Sequence, residues 1–253
     1  MIYITGDCHA DYRKFSTDNF PEQKDMTRED FVIVCGDFGI WHDTREERWW
    51  LKWLSEKPFT LLFVDGNHEN FDRLCGDEFP VVDFHGGKAH QIRDNIFHLM
   101  RGYVFELEGK KFFAFGGASS HDIDDGVLDP NDFANEEDFR DTYRRWYREN
   151  RMFRVKGFSW WQQELPSEEE MVFGLKTLAD NGNKVDYIIT HCCPQHVASV
   201  FSGGFYKADN LTRYFNTVAE TTDFHKWYFG HYHDNRSIMG KFVLLYEKIE
   251  RLL

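Results

Sequence analysis

Asp, Asn and His side chains follow five short apolar runs of this sequence. These residues are Asp7, His9, Asp37, Asn67, His68, His191, His231 and His233, after residues 2–5, 31–35, 59–64, 187–190 and 227–229. Carboxylate, amide and imidazole donors without a cysteine suit six-coordinate Mn, Fe or Zn, and not a structural thiolate zinc site. One ion would not use all of these donors. Two bridged ions can activate a water and stabilise both oxygens of a displacement at phosphorus, so the residue types point to metal-assisted phosphoester chemistry.

Two pairs of these residues have the spacing of an extended chain. Asp7 and His9 flank Cys8, and His231 and His233 flank Tyr232. Alternate residues of an extended chain point to the same side. Any single cluster is also compatible with an ordinary turn, but five clusters at strand ends predict one site, because open α/β sheets bind ligands beyond the carboxyl ends of their strands.

Strands that alternate with helices must position these residues. Residues 2–5, 31–35 and 59–64 have the composition of buried strands, and residues 12–20 are predicted to form the first helix. Thr44 and Glu47 have the spacing of a capping box for the second helix. A strand–helix–strand order predicts a parallel sheet and an α/β fold class.

Later segments predict further elements. Short runs at 96–100, 103–107 and 111–115, with a turn at 108–110, indicate an antiparallel meander. Ser167 and Glu170 form a second capping-box pattern, at the start of a helix that precedes the strand at 187–190.

Residues 121–163 interrupt this pattern and are predicted to be an insertion or lid. Residues 121–138 are acidic and rich in turn residues, whereas 139–155 carry interleaved arginines and aromatic residues and are predicted to form a helix. Two interpretations of the arginines stay open. They form a solvated face paired with the acidic segment, or some of them face a substrate anion, because guanidinium groups suit phosphate.

Composition limits the class of protein. The 253 residues include 42% hydrophobic and 17% aromatic residues, which is compatible with one large domain and a core rich in rings. A formal net charge of −13 excludes an extended surface for duplex nucleic acid.

The sequence also indicates a compartment. It lacks a signal-peptide pattern and an apolar run of membrane-spanning length, and its five cysteines lack C-x-x-C spacing. We therefore expect a cytoplasmic protein with reduced thiols and no membrane association.

The ordered motifs resemble those of the calcineurin-like metallophosphoesterase superfamily. The matching stretches are Gly6-Asp7-Cys8-His9, Gly36-Asp37, Gly66-Asn67-His68-Glu69, Thr190-His191 and Gly230-His231-Tyr232-His233. They span nearly the whole chain. Residues 64–71, 115–121 and 188–194 further resemble uncharacterised bacterial and phage-type members.

The resemblance implies a four-layer α/β/β/α sandwich of two mixed β-sheets flanked by helices, as a single domain over 1–253. It also implies a dinuclear centre of divalent or trivalent Mn, Fe or Zn, with Mn favoured in vitro. One metal would be held by Asp7, His9, Asp37 and His233, and the other by Asp37, Asn67, His191 and His231. A metal-bridging hydroxide would be the nucleophile. His68 would lie outside the ligand shell and act on the phosphoryl group or the leaving oxygen.

Two departures from the family pattern, and one further histidine, refine this interpretation. Ala10 stands where the family usually has glycine, and the Asp-Arg-Gly of the Ser/Thr protein phosphatase branch is missing near Asp37. The second departure counts against a protein phosphatase. His121 follows a glycine-rich strand end, and it either lines the substrate pocket or is structural.

The resulting hypothesis is a metal-dependent phosphoester hydrolase that acts on a phosphomonoester or phosphodiester. The acidic balance favours a small or single-stranded substrate. The rival hypothesis is a non-catalytic binding or scaffold protein that retains the fold. Oligomeric state stays open.

Overall fold

The computed structural model describes residues 1–253 and contains two large mixed sheets. The strands are β1 Ile2–Thr5, β2 Phe31–Val34, β3 Thr60–Phe63, β4 Val81–Phe84, β5 Gly87–Arg93, β6 Ile96–Leu99, β7 Tyr103–Leu107, β8 Lys110–Phe115, β9 Gly126–Leu128, β10 Phe153–Val155, β11 Tyr187–Thr190, β12 Lys226–Phe229, β13 Arg236–Ile238, β14 Phe242–Leu244 and β15 Glu250–Arg251. The helices are α1 Arg45–Ser55, α2 Phe71–Leu74, α3 Glu136–Arg148, α4 Glu168–Asp180, α5 Gln195–Ser202 and α6 Asn210–Thr221.

Each large sheet has a parallel centre and antiparallel edges. The first sheet has the order β15-β1-β2-β3-β6-β5-β4, and its neighbours β1, β2, β3 and β6 run parallel. The second has the order β13-β14-β12-β11-β8-β7, with β14, β12, β11 and β8 parallel. The predicted turn at 108–110 closes the antiparallel hairpin of β7 and β8. The first part of the predicted meander is wrong, because β6 pairs with β3 and β5 of the first sheet and not with β7.

Three apolar clusters order these elements into layers. The central cluster joins Ile4 and Leu62 of the first sheet to Phe112 and Ile189 of the second, so the two sheets pack face to face. Helix α1 and the segment before β2 cover the outer face of the first sheet. Helices α4, α5 and α6 cover the outer face of the second. The predicted α/β/β/α sandwich of mixed sheets is confirmed.

The helix predicted at 12–20 is wrong. This segment contains only a 3₁₀ turn at Arg13–Phe15. The side-chain amide of Gln23 donates to the carbonyl oxygens of Phe15, Ser16 and Phe20, at 3.1, 3.1 and 2.7 Å. A side chain from the next turn of the chain therefore binds carbonyl groups in the second half of this segment.

The two predicted capping boxes differ in outcome. Ser167 and Glu170 form the reciprocal pair. Thr44 accepts from the backbone N–H of Glu47, but the carboxylate of Glu47 does not return to Thr44. It accepts instead from the backbone N–H groups of Trp41 and Asp43, at 2.9 and 3.1 Å.

The segment predicted to be an insertion or lid, residues 121–163, is more structured than expected. Its helix α3 begins at Glu136, after the side-chain cap of Asn135, and ends at Arg148. The chain then reverses at Asn150, which has φ of 55°. The residues predicted to end that helix form strand β10, which pairs with β9 in a parallel two-stranded ribbon.

Membrane-spanning length is not reached by any helix of this fold: none is both long enough and apolar enough to cross a bilayer.

A buried polar cluster fixes the end of β3. Asp65 is 1% exposed, and its carboxylate accepts from Arg101 Nη2 at 2.5 Å and from His98 Nε2 at 3.1 Å. His98 in turn pairs with His90 through their Nδ1 atoms, at 2.9 Å. Burial alone would raise the pKa of Asp65, but the Arg101 charge and the His98 hydrogen bond hold that pKa well below its ordinary value.

We expect Asp65 to make the protein more sensitive to acid. The native-state pKa is lowered, so its contribution is complete above the unfolded value of about 4 and is lost as pH falls below that value. Asp65→Asn should lower the free energy of unfolding at pH 7 by about 3 kcal/mol, because it leaves Arg101 buried without its partner. The variant should also lose less stability than the wild type between pH 5 and pH 3.

Urea denaturation over a pH series measures both effects. Asp83→Asn is the control, because the Asp83 side chain is 90% exposed, and its curve should parallel that of the wild type. Parallel curves for Asp65→Asn and the wild type would contradict the prediction.

Candidate metal centre

The strand ends of both sheets bring the predicted ligand residues to one place. Strands β1, β2 and β3 supply Asp7, His9, Asp37 and Asn67, and strands β11 and β12 supply His191, His231 and His233. These strands lie in the parallel centres of the two sheets, which explains the convergence, because the carboxyl ends of neighbouring parallel strands meet at one edge of a sheet.

Two groups of donor atoms share Asp7. The donor atoms of Asp7, His9 and His233 lie within 4.8 Å of one another, and so do those of Asp7, Asp37 and His191. His9 Nε2 is 2.9 Å from His233 Nε2, and His233 Nε2 is 3.3 Å from Asp7 Oδ2. Imidazole nitrogens and carboxylate oxygens that face a common point can hold a divalent transition metal. The residues therefore fit the ions that the sequence implies.

The second group lies deeper. Asp7, Asp37 and Asn67 are at most 4% exposed, and His191 is fully buried. His191 Nε2 is 3.3 Å from both Asp37 Oδ1 and Asn67 Oδ1. Burial opposes the charged imidazole, but Asp37 and Asp7 raise the pKa of His191 to about 10. Metal binding there must displace a proton.

His231 occupies a different position from the other predicted ligands. Its backbone N–H donates to both oxygens of Asp7, at 3.0 and 3.1 Å, and its ring lies 4.9 Å from the ring of His191. The His231 nitrogens are outside both donor groups. Its role as a ligand stays a prediction.

Four of these residues have left-handed backbone conformations. The φ angles of His9, Asp37, His231 and His233 are 49°, 47°, 68° and 49°. Such angles are unfavourable for residues with a Cβ atom, and they concentrate at functional sites. Ala10 has φ of 59°, which explains why glycine is usual at this position in the family.

Two glycines allow the ligand loops to approach each other. A Cβ atom on Gly66 would lie 2.0 Å from Asp37 Oδ1, and one on Gly230 would lie 1.9 Å from Asp7 Oδ1. Each glycine immediately precedes a candidate ligand. The glycines of these two motifs are therefore required by the close approach of the Asp37 and Asp7 carboxylates.

Glu69 joins the loop after β2 to the loop after β3. Its carboxylate is fully buried and accepts from the backbone N–H groups of Phe38, Gly39 and Ile40, at 2.6, 3.1 and 2.9 Å. Asp37 lies immediately before these residues, and Asp37 Oδ1 accepts from the N–H of His68 at 2.8 Å. These contacts fix Asp37 relative to Asn67 and His68.

Further hydrogen bonds orient two of the donors. Asn67 Nδ2 donates to Ser120 Oγ at 3.4 Å, and Ser120 Oγ donates to Glu164 Oε2 at 2.6 Å, which leaves the Asn67 oxygen directed at His191. His191 Nδ1 lies 2.7 Å from the Cys35 carbonyl oxygen, which directs its Nε2 toward Asp37 and Asn67. Such contacts hold ligands in one orientation. Sequence reasoning missed Glu164, because nothing in its local pattern connects it to Asn67.

Arg154 is a second residue that sequence reasoning did not single out. It is 6% exposed, its Nη2 donates to His68 Nε2 at 2.9 Å, and its Nε pairs with Asp122 at 2.7 Å. Arg140 and Arg144 on α3 are instead exposed and pair with carboxylates on the same helix. The exposed arginines of α3 fit the first interpretation, and contact between Arg154 and a substrate anion stays a prediction.

His68 belongs to a third group of donor atoms, because its donor atom and those of His9 and Asp37 lie within 4.8 Å of one another. Its place outside the ligand shell stays a prediction. Its ring is 5.0 Å from that of His9. Burial lowers the pKa of His68 to about 4, a shift that Asp37 opposes and Arg154 increases. The imidazole is neutral and accepts the Arg154 hydrogen bond.

The remaining predicted residues surround this centre. The His121 ring is 4.4 Å from the ring of His231, so His121 is next to the site, and its contact with substrate stays a prediction. Cys8, Cys192 and Cys193 are buried. Burial raises the pKa of Cys8 to about 12 and disfavours its reactive thiolate.

Comparison with known proteins identifies the class. A family model described as calcineurin-like phosphoesterase matches residues 1–235. The chain belongs to this family of metal-dependent phosphoester hydrolases, and the predicted resemblance is confirmed.

The chain is also similar to a distantly related curated protein. Lariat debranching enzyme A of Xenopus laevis is 26% identical over 174 residues, which cover 61% of this chain and 30% of that protein. The match therefore spans less than a third of the relative's length.

Removal of the Glu69 carboxylate should destabilise the protein. Glu69→Ala leaves three buried N–H groups without acceptors, so we expect the free energy of unfolding to fall by at least about 3 kcal/mol. Glu69→Gln keeps one oxygen acceptor and should lose less. Urea denaturation measures both changes, with the exposed Glu220→Ala as the control. Equal stability of the Glu69→Ala and Glu220→Ala proteins would contradict the prediction.

Proposed function

We propose that the protein hydrolyses phosphoesters at a dinuclear metal centre. The observation that carries this proposal is the convergence of the donor atoms of Asp7, His9, Asp37, His191 and His233 at strand ends of two sheets. A scaffold protein would not need buried carboxylates that face the buried imidazole of His191, because burial of such groups is costly without a partner. Catalysis is therefore favoured over the scaffold hypothesis.

The proposed ligands divide between two ions. Asp7, His9, Asp37 and His233 would hold one, and Asp37, Asn67, His191 and His231 the other, with Asp37 shared. The Asp, Asn and His donors suit Mn, Fe or Zn. When bound, two such ions supply Lewis acidity that activates water and neutralises charge on a phosphoryl group.

The chain's own residues would bind the substrate beside these ions. Arg154 donates to Asp122 through Nε, to the Ser159 carbonyl oxygen through Nη1 and to His68 through Nη2. The second hydrogen of Nη2 can donate to a phosphoryl oxygen, and such charge-assisted bonds are strong in a buried setting. Arg154 lies on β10 of the predicted insertion, and Asn67 is tied through Ser120 to Glu164, the two residues that flank that insertion. His68 is held by Arg154 next to the donor groups, where it can hydrogen-bond to the phosphoryl group or the leaving oxygen.

Metal loading and a histidine variant test the proposal. We expect the purified protein to take up two Mn²⁺ ions per chain and to hydrolyse an aryl phosphate monoester or diester. His68→Ala should lower kcat about 100-fold or more with metal content unchanged, because it removes a positioned hydrogen-bonding group. Elemental analysis and steady-state kinetics measure these effects. His225→Ala is the control, since His225 precedes β12 at the end opposite to His231.

Two results would contradict this assignment. Absence of metal uptake, or of hydrolysis across monoesters, cyclic and linear diesters, nucleotides and phosphoproteins, would favour the scaffold hypothesis. Metal loss from the His68→Ala protein would place His68 among the ligands.

Arg154 should matter for phosphate binding. Arg154→Ala should lower kcat/KM about 100-fold, the effect of losing one charged group directed at the transition state. Arg154→Lys keeps the charge but not the fork, and should recover only part of the loss. Arg144→Ala removes an exposed arginine of the same insertion and is the control. A kcat/KM for Arg154→Ala within about twofold of the wild type would show that Arg154 only supports the fold.

A further inference from the structure

A cavity of about 650 Å³ adjoins the metal centre and shares His9 with it. Its walls include Trp41, Trp50, Thr44, Asp11 and Glu46. We propose that this cavity is a subsite for a nucleobase carried by the phosphoester substrate. The inference rests on the proposed function and adds the chemical class of the substrate.

Trp41 has the properties of a stacking platform. Its ring lies 6.3 Å from the ring of His68, which places it beside the phosphoryl position. Trp161 and His42 pack against it with ring centroids at 5.7 and 5.2 Å. Aromatic rings that are held rigidly bind bases by stacking, and this contact tolerates any base because each has a π face.

The backbone of Trp41 is held as firmly as its ring. Its N–H donates to Glu47 Oε2 at 2.9 Å, and Glu47 Oε1 pairs with Arg73 at 2.6 Å. The supporting ring of Trp161 donates from Nε1 to Asp72 Oδ2 at 2.7 Å. The side chain is therefore ordered before a ligand arrives, which lowers the entropy cost of binding.

The charge of the cavity selects against a second anion. Asp11 and Glu46 are exposed at its wall, and the one arginine there, Arg13, is already paired with Asp11. A polyphosphate tail or an acidic peptide would be repelled. Carboxylates and the Thr44 hydroxyl can accept hydrogen bonds from exocyclic amino groups of bases, and the volume is in the range of small-molecule sites.

Binding affinity tests the subsite without turnover. We would titrate the Mn²⁺-saturated His68→Ala protein with adenosine 5′-monophosphate and with ribose 5-phosphate by calorimetry. The two probes share a phosphate and a ribose, and only the first carries a base. The His68→Ala protein should bind the first probe about tenfold or more tightly than the second, as expected for one stacked base.

Variants of Trp41 in the same background assign the preference. Trp41→Leu should reduce it to about twofold or less, whereas Trp41→Phe, which keeps an aromatic ring, should retain most of it. Tyr147→Ala removes a tyrosine that is 70% exposed on α3 and should leave the preference unchanged. Thermal melting checks that each variant is folded.

Two sources can present such a base, a free nucleotide or the end of a single strand. Tighter binding of a 5′-phosphorylated pentaadenylate than of the mononucleotide would identify the strand, and equal binding would identify the nucleotide. Equal affinity for the two original probes, or a preference that survives Trp41→Leu, would overturn the proposal. Because affinity is measured apart from hydrolysis, an inactive protein would contradict only the proposed function.

Discussion

The site depends first on the buried carboxylate of Glu69. Its oxygens accept hydrogen bonds from three successive backbone N–H groups of the loop after β2. These bonds fix that loop against the loop after β3, which carries Asn67 and His68. Glu47 has the same role further along this loop, because its carboxylate accepts hydrogen bonds from the backbone N–H groups of Trp41 and Asp43. One rigid loop therefore runs from the metal centre to the aromatic cavity, and its geometry is set by two carboxylates that bind no substrate.

The predicted insertion supplies a positive charge next to the metal centre of an otherwise acidic protein. With a net charge of −13, the chain has little general attraction for a phosphoester. Arg154 places one buried positive charge beside His68, and Asp122 of the same segment fixes the guanidinium by its Nε. The residues that would bind metal and the residue that would bind phosphate come from different parts of the sequence. Their alignment depends on the pairing of β9 with β10.

The sequence predicted the central strands of both sheets and the Asp, Asn and His residues that follow them, because apolar runs and ligand spacing are local patterns. It missed edge strands such as β4 and β13 and the ribbon of β9 and β10. It did not predict contacts that depend on tertiary register. Arg154 was predicted to lie on a helix, but it lies on strand β10. Phe153 of the same strand packs on α3, with its ring 5.3 Å from the ring of Trp146. The helix predicted at 12–20 does not form, and the side chain of Gln23, which follows that segment, binds carbonyl oxygens within it. Glu47 had the spacing of a capping residue, but it satisfies the loop before the helix.

The strained ligand loops explain how the centre can persist before an ion binds. Asp7 and Asp37 are buried close together, which like charges oppose unless a cation lies between them. His191 lies there, and its raised pKa means that its proton supplies that positive charge. A metal ion that replaced this proton would find the carboxylates already in position. Folding, and not metal binding, then bears the cost of the left-handed residues His9, Asp37, His231 and His233.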